Sequence, residues 1–276
     1  MASLGLPQNS AYPDSIISQD GTTYALTKSM ETGEKRLLVQ GDTDGFEGEA
    51  QNGLLVCLQT AVNAAELRTR LDWLNPEPLG RQTSFGFGDR LGSATPGHVA
   101  SLRAADPGGR IAPIFAQQSV RENTRTGRTP QQVVDDAMWG VFQEGWRDPW
   151  GADADHVKET ADLAPFIKAG YTFYTIDPSD HVDNEAQTDN LETLRLKAEQ
   201  LPWQRLGADY VSLNAQYCEE PLSFAGLTLV YDEETLLRAL AKYGRAIVHT
   251  AEVAAFLDNA MIGRTYDLEM SVDETD

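Results

Sequence analysis

The sequence predicts an α/β fold: a parallel sheet covered by helices, wound as a TIM-barrel-like (β/α) barrel left incomplete because the chain is truncated at its C-terminus. Three observations carry that expectation. From Thr83 onward, short apolar runs alternate with segments of helical periodicity, the rhythm of parallel βα units. Five strand segments of this series can be counted, whereas a closed barrel needs eight and a domain of about 250 residues. The sequence then stops at Thr275-Asp276, immediately after the fifth. A complete open α/β sheet is the competing architecture.

Residues 1–80 are expected to form an N-terminal region packed on the barrel, and residues 81–276 the first part of the barrel domain. In the N-terminal region, the apolar run Leu54 to Gln59 reads as a buried strand. Ala61 to Leu74 has helical spacing and is closed by Asn75-Pro76. The series proper starts with a strand at Ser84 to Gly88. Pro96 to Ala104 follows as a helix, with Thr95 as its N-cap and Pro96 in the first turn. Ile111 to Ala116 is a strand, and Thr129-Pro130 opens an amphipathic helix running to about Trp146. Gly151 to His156 is the next strand, and Ala161 to Ala169 a helix stopped by Gly170. Tyr171 to Ile176 has the β-branched and aromatic content of a buried strand, and Leu191 to Gln200 is helical up to Pro202. Gly207 to Tyr231 breaks the rhythm, with Leu227 to Tyr231 as an inserted strand. A long helix, Glu233 to about Asn259, and a last strand, Tyr266 to Val272, complete the reading.

The formal net charge is −20, with 42 acidic against 22 basic residues. Such a field repels phosphate backbones and anionic lipid, which disfavours nucleic-acid and membrane partners. It also opposes an acidic small molecule at long range, so an acidic ligand needs a local basic cluster or a metal to hold it. No apolar run approaches the ~20 residues that cross a bilayer. Met1 to Ser10 lacks a basic region followed by an apolar core, so the expected location is the cytoplasm. Cys57 and Cys218 lie far apart and form no CxxC, which suits ordinary core thiols. Homo-oligomerisation is left open.

Catalytic groups in parallel α/β folds sit at the carboxyl ends of strands, and the polar clusters of this chain fall there. Phe85-Gly-Phe-Gly-Asp89-Arg90 combines glycines, which permit close approach of a ligand, with an acid and a base; a tight turn with a local ion pair explains it equally well. Gln117-Gln118-Ser119-Val120-Arg121 precedes Arg125 and Arg128. An arginine fork suits a carboxylate, and Arg121 is the best candidate of the three, Arg125 and Arg128 fitting structural pairs with Glu122, Asp135 or Asp136. In Gly151-Ala-Asp153-Ala-Asp155-His156, strand alternation puts both carboxylates on one face and His156 on the other, unless the strand turns there. A carboxylate beside an imidazole suits a divalent metal with a general base, although a lone histidine is more often structural. Asp177-Pro-Ser-Asp180-His181-Val-Asp183 reads either as a site loop or as a solvated turn. Asp273-Glu274-Thr275-Asp276 reads either as a further site segment or as an acidic tail. The histidines number four, and His98 and His249 lie in helical stretches.

These segments resemble the tagaturonate/fructuronate epimerase family of hexuronate catabolism. The matching stretches are FGFGDRLGSATPGH (Phe85 to His98), AQQSVREN and TRTGRTPQQVVDDAMWGVFQEGW (within Ile111 to Trp146), GADADH (Gly151 to His156), YTFYTIDPSDHVDN (Tyr171 to Asn184) and LEMSVDETD (Leu268 to Asp276). The resemblance implies a TIM-barrel-like fold, a longer chain with further histidine ligands downstream, and a divalent metal cation (zinc, nickel or manganese). It also implies a ketohexuronate substrate, with D-tagaturonate and D-fructuronate interconverted by inversion at C4. By the same resemblance His156 is the metal ligand, Asp155 the general base and Glu274 the opposite acid/base, with Asp273 the second choice. Asp89, Arg90, Gln117, Arg121, Asp177 and His181 would line the substrate pocket. Two alternatives remain: a metal-dependent sugar-acid aldolase or lyase, and a non-catalytic sugar-acid binding fragment.

Overall fold

A computed structural model describes residues 11–273. In chain order the elements are β1 (Ile17–Gln19), β2 (Thr22–Lys28), β3 (Lys35–Gln40), β4 (Gly48–Gln51), β5 (Leu54–Cys57), α1 (Ala61–Arg70), β6 (Ser84–Gly88), α2 (Thr95–Ala105), β7 (Ala112–Ser119), α3 (Val120–Thr126) and α4 (Pro130–Gln143). They continue with β8 (Gly151–Val157), α5 (Thr160–Ala169), β9 (Phe173–Ile176), α6 (Leu191–Glu199), α7 (Trp203–Leu206), α8 (Tyr210–Cys218), β10 (Leu222–Phe224), β11 (Leu227–Leu229), α9 (Glu233–Ala260) and β12 (Asp267–Met270). The main sheet has the strand order β12-β9-β8-β7-β6. Its strands follow one another in sequence without a reversal, so the sheet has no topological switch point. Among the described residues it is open, with β6 and β12 at its edges. The chain is therefore a mixed α/β protein, and all five expected strands are present.

The chain divides into two compact units. The first runs through Asp155 and adds Asp162–Tyr174 and Thr265–Asp267. It opens with an antiparallel sheet of order β1-β2-β3-β5-β4, of which the sequence delimits only the β5 strand, the residues before it showing short strand-like pieces among turn residues. In β2, Tyr24, Ala25 and Leu26 are all buried, and in β3 Leu37, Leu38 and Val39, so these strands lack the alternation that would mark them. The sheet and α1 pack on α4. Arg68 donates to Asp135 at 2.5 Å, Lys35 donates to Gln143 at 2.6 Å, and the Trp150 indole donates to the Trp73 carbonyl at 3.3 Å.

Helix α4 begins as its sequence requires. Thr129 accepts from the Gln132 N–H while the Gln132 amide oxygen accepts from the Thr129 N–H, a reciprocal capping box. The expectation for α2 needs correction. Thr95 is the first helical residue, not the cap, and is 2% exposed. Its side chain packs on Gly140 of α4, where any added Cβ would strike it. The capping task passes to Asp89, whose carboxylate accepts from the N–H of Ala94, the residue that precedes the helix.

Strands β6, β7 and β8 run parallel, with Ser84 opposite Ala112 and Ile114 opposite Gly151; the register reaches Ser119 opposite Asp155. The Thr172 N–H donates to the Ala152 carbonyl at 3.0 Å, and the Asp267 N–H to the Thr172 carbonyl at 2.9 Å.

The second unit comprises His156–Ala161, Thr175–Arg264 and the segment from Leu268 onward. Asp177 donates from its N–H to the Val157 carbonyl at 3.0 Å, and Ser271 to that of Ile176 at 2.9 Å. Its core forms where α6 meets the 28-residue α9: Leu194 and Ala198 pack with Leu237 and Ala241. A second cluster of Leu201, Leu236 and Leu240 is covered by Trp203, Leu206, Tyr210 and Leu213. The irregular stretch after Gly207 contains α8 and a β10–β11 hairpin, with Leu222 opposite Leu229, so the inserted strand is one arm of a hairpin. Among the described residues, no helix is long and apolar enough to cross a membrane.

Candidate active site

In the first unit, the carboxyl ends of β6, β7 and β8 frame a cavity of about 550 Å³. Gly88, Asp89, Arg90 and Leu91 line it from the end of β6, and Gln117, Gln118, Ser119 and Glu122 from the end of β7. Asp155 lines it from β8. Of the sequence candidates, Asp89, Arg90, Gln117 and Asp155 therefore share one cavity, while Arg121 stands beside it on α3.

Each of these side chains has a physical reason for its place. Asp89 folds the loop after β6 around itself, its carboxylate accepting from the N–H groups of Leu91 (2.9 Å), Gly92 (2.8 Å) and Ala94 (2.6 Å). Burial pushes its pKa up, but these three bonds and the nearby Arg128 charge outweigh burial and hold the carboxyl below its ordinary value. Arg128 binds the Asp89 carbonyl and the Asp136 carboxylate, two structural partners, and Arg125 pairs with Glu122 at 3.1 Å. Gln117 donates to the buried Asp153 at 3.2 Å. Its amide fills the space where a side chain on Gly86 would stand, which explains that glycine. Arg90 reaches Glu122 at 2.8 Å, and Arg121 approaches the same carboxylate at 3.9 Å.

The remaining candidates belong to the second unit. His156 adopts a left-handed backbone with φ of 52°, so the strand alternation that would oppose it to Asp155 is interrupted at this residue. Its Nε2 lies 2.7 Å from the Asp273 carboxylate, which also accepts from the Ser271 hydroxyl at 3.1 Å. The His156 hydrogen bond, followed by that of Ser271, holds the Asp273 carboxyl below its ordinary value. Asp177 accepts from the Ser179 N–H at 2.9 Å, and the Lys158 ammonium lies 2.7 Å from Asp180. The His181 ring stacks on His249 at 4.1 Å. His249 Nε2 is 2.7 Å from the Lys158 carbonyl, which can only accept, so Nε2 carries the proton. Glu274 lies outside the described residues.

A catalytic zinc takes about three protein ligands. Among the described residues, no group of three His, Cys, Asp or Glu side chains could hold a metal ion. The His156–Asp273 pair supplies one imidazole and one carboxylate, so the described residues do not fit a whole metal site. Cys57 is buried and its thiol is pushed up to about 11, which removes it as a nucleophile. His98 stacks on Phe87 at 4.9 Å, in keeping with a structural role. Sequence reasoning missed Glu122 as a cavity residue. Its only signal was its place within AQQSVREN, among arginines it could be expected to pair with.

Fold and cavity together define the class: an α/β protein with a cavity, lined by charged and amide side chains among others, at the carboxyl ends of its parallel strands. The family model described as tagaturonate epimerase matches residues 12–276. A tagaturonate/fructuronate epimerase of Thermotoga maritima is 40% identical over 272 residues, covering 96% of this chain and 53% of that protein. Two crystal structures of a fructuronate-tagaturonate epimerase from Cohnella laeviribosi superpose with a TM-score of 0.86. The glycerol-complexed form is 34% identical over 96% of this chain and 53% of the other, and the native form 33% over 99% and 54%. The chain belongs to the tagaturonate epimerase family. It spans about half the length of the relatives it matches.

Proposed function

We propose that the chain serves in a cytoplasmic epimerase that interconverts D-tagaturonate and D-fructuronate. The observation that carries this reading is the position of Asp155: a carboxylate near a strand end, lining a cavity with Arg90, Asp89 and Gln117, in a chain of this family. The five consecutive strands are then staves of a (β/α) barrel, with residues 1–80 as an accessory region.

The chemistry constrains the route. C4 of the ketohexuronate is not adjacent to the C2 ketone, so removing the proton from C4 gives no stabilised enolate. A retro-aldol step avoids this. Asp155 takes the C4 hydroxyl proton as the C3–C4 bond breaks. The electron pair of that bond passes into the C2 carbonyl, leaving an enediolate and an aldehyde at C4. The aldehyde presents its other face, C3 attacks it to re-form the bond, and Glu274 protonates the new C4 oxygen. We further propose His156 as one ligand of a divalent cation (zinc, nickel or manganese), which when bound would supply Lewis-acid stabilisation of negative charge. Chelation should then abolish turnover and re-addition of one of these metals restore it; full turnover by metal-free protein contradicts that assignment.

Product analysis tests the reading against an aldolase. Each ketouronate, supplied alone, should return only its partner sugar. Accumulating three-carbon fragments would establish a lyase, and binding without turnover would establish a sugar-acid binding fragment.

A further inference from the structure

We propose that Glu122 is a positioning residue that gathers Arg90, Arg121 and Arg125 into a cluster that grips the carboxylate of the sugar acid. The inference rests on the sugar-acid reading above and adds the group that fixes the acid end of the substrate. Glu122 is the one member of this cluster that is buried, its side chain 11% exposed against 67%, 71% and 64% for the three arginines. Its Oε2 holds Arg90 Nε at 2.8 Å, and its Oε1 holds Arg125 Nη1 at 3.1 Å and faces Arg121 Nε at 3.9 Å. The backbone beneath it is fixed at both ends: its N–H donates to the Ser119 hydroxyl at 3.1 Å, and its carbonyl accepts from the Thr126 hydroxyl at 2.9 Å.

The charge count gives the cluster its purpose. The cluster sets three guanidiniums around one carboxylate at the edge of a cavity that Asp89 and Asp155 also line, in a chain whose formal net charge is −20. Arginines brought this close repel one another unless an anion lies between them, and Glu122 is that anion. Arg90 comes from the loop after β6, and Arg121 and Arg125 from α3, so the carboxylate ties together two chain segments. Glu122 holds Arg90 through Nε at 2.8 Å, and the Arg90 side chain is largely exposed. An exposed guanidinium offers a planar fork to a second carboxylate. An isolated exposed ion pair would contribute little. Here the anion is buried and the cations are exposed, the arrangement expected when the cations serve an incoming anion. In the proposed route the carboxylate stays on the aldehyde half of the cleaved sugar. A grip on it would retain that fragment for re-addition.

The experiment titrates the chain with gluconate, an open-chain sugar acid, and with glucitol, its uncharged counterpart, following the arginine Nε–H resonances by NMR. Gluconate should shift the Arg90 and Arg121 resonances, and glucitol should not. Glu122→Gln should weaken gluconate binding by about tenfold, the effect of about 1.4 kcal/mol, and Glu122→Asp should recover part of it. In turnover, KM for tagaturonate should rise while kcat holds within about threefold. Arg90→Gln, which leaves the buried carboxylate in place, should lose the preference for gluconate over glucitol. Gluconate binding that moves no arginine resonance, or that is unchanged in Glu122→Gln, overturns the proposal and leaves the epimerase reading standing. A Glu122-dependent response to gluconate without turnover of either ketouronate sustains the cluster and overturns the epimerase reading.

Discussion

His156 holds a backbone conformation that a few per cent of residues other than glycine adopt, with Asn, Asp and His the most tolerant of it. Strain of this kind persists where neighbours over-determine it, and it concentrates at functional sites. Here the imidazole is held by Asp273, and the residue ends the regular pleat of β8. His156→Asn should therefore fold with stability within about 0.5 kcal/mol of the wild type, because Asn accepts the left-handed region. His156→Val should lose about 1–3 kcal/mol in thermal unfolding. Both should lack epimerase activity. Asp89 makes a different prediction. Its folded pKa lies below its unfolded one, so its stabilisation is complete above pH ~4 and fades as pH falls through the lower folded value. Asp89→Ala should cost about 1–3 kcal/mol at neutral pH, and the gap from wild type should close below pH ~4 in acid titrations of stability. Reasoning from strand ends singled out the segments of Asp89, Arg90, Gln117 and Asp155, and these four side chains line one cavity. Glu122 escaped it because a glutamate three residues before an arginine looks like any helical ion pair. Its second partner, Arg90, is distant in sequence.

At the scale of elements, Gly140 shows packing overriding propensity. In an exposed helix interior, Gly→Ala would stabilise by about 1 kcal/mol. On α4 the added methyl would collide with Thr95, so Gly140→Ala should destabilise by about 1–3 kcal/mol in denaturant unfolding. A stabilised Gly140→Ala protein would refute the close approach of α2 and α4. The same contact explains why Thr95 misled as a cap. A threonine before Pro96 carries the cap signature, yet its side chain is spent on α4, and Asp89 reaches in instead. The five parallel strands were legible because each is a short apolar run between helices with clear signals, such as Thr129-Pro130. The antiparallel N-terminal sheet was not, since β4 is exposed throughout and β2 and β3 are buried without alternation.

Taken whole, the molecule carries 42 acidic and 22 basic residues, and this excess works against its own compactness. Raising salt from about 10 to 100 mM shortens the Debye length from about 30 to 10 Å, so the Tm should rise over that range; a flat or falling Tm would mean that attractive pairs dominate. The alternation of strand and helix was legible from rhythm alone, whereas the strand order without reversal is set by pairings between segments distant in sequence. The central claim is that Asp155 drives inversion at C4 by breaking and re-forming the C3–C4 bond. The most direct test is NMR of ketouronate turnover in D₂O by wild type and Asp155→Asn. The partner sugar should form with protium retained at C4, and the variant should form none. Deuterium at C4, or undiminished turnover by Asp155→Asn, would contradict the account.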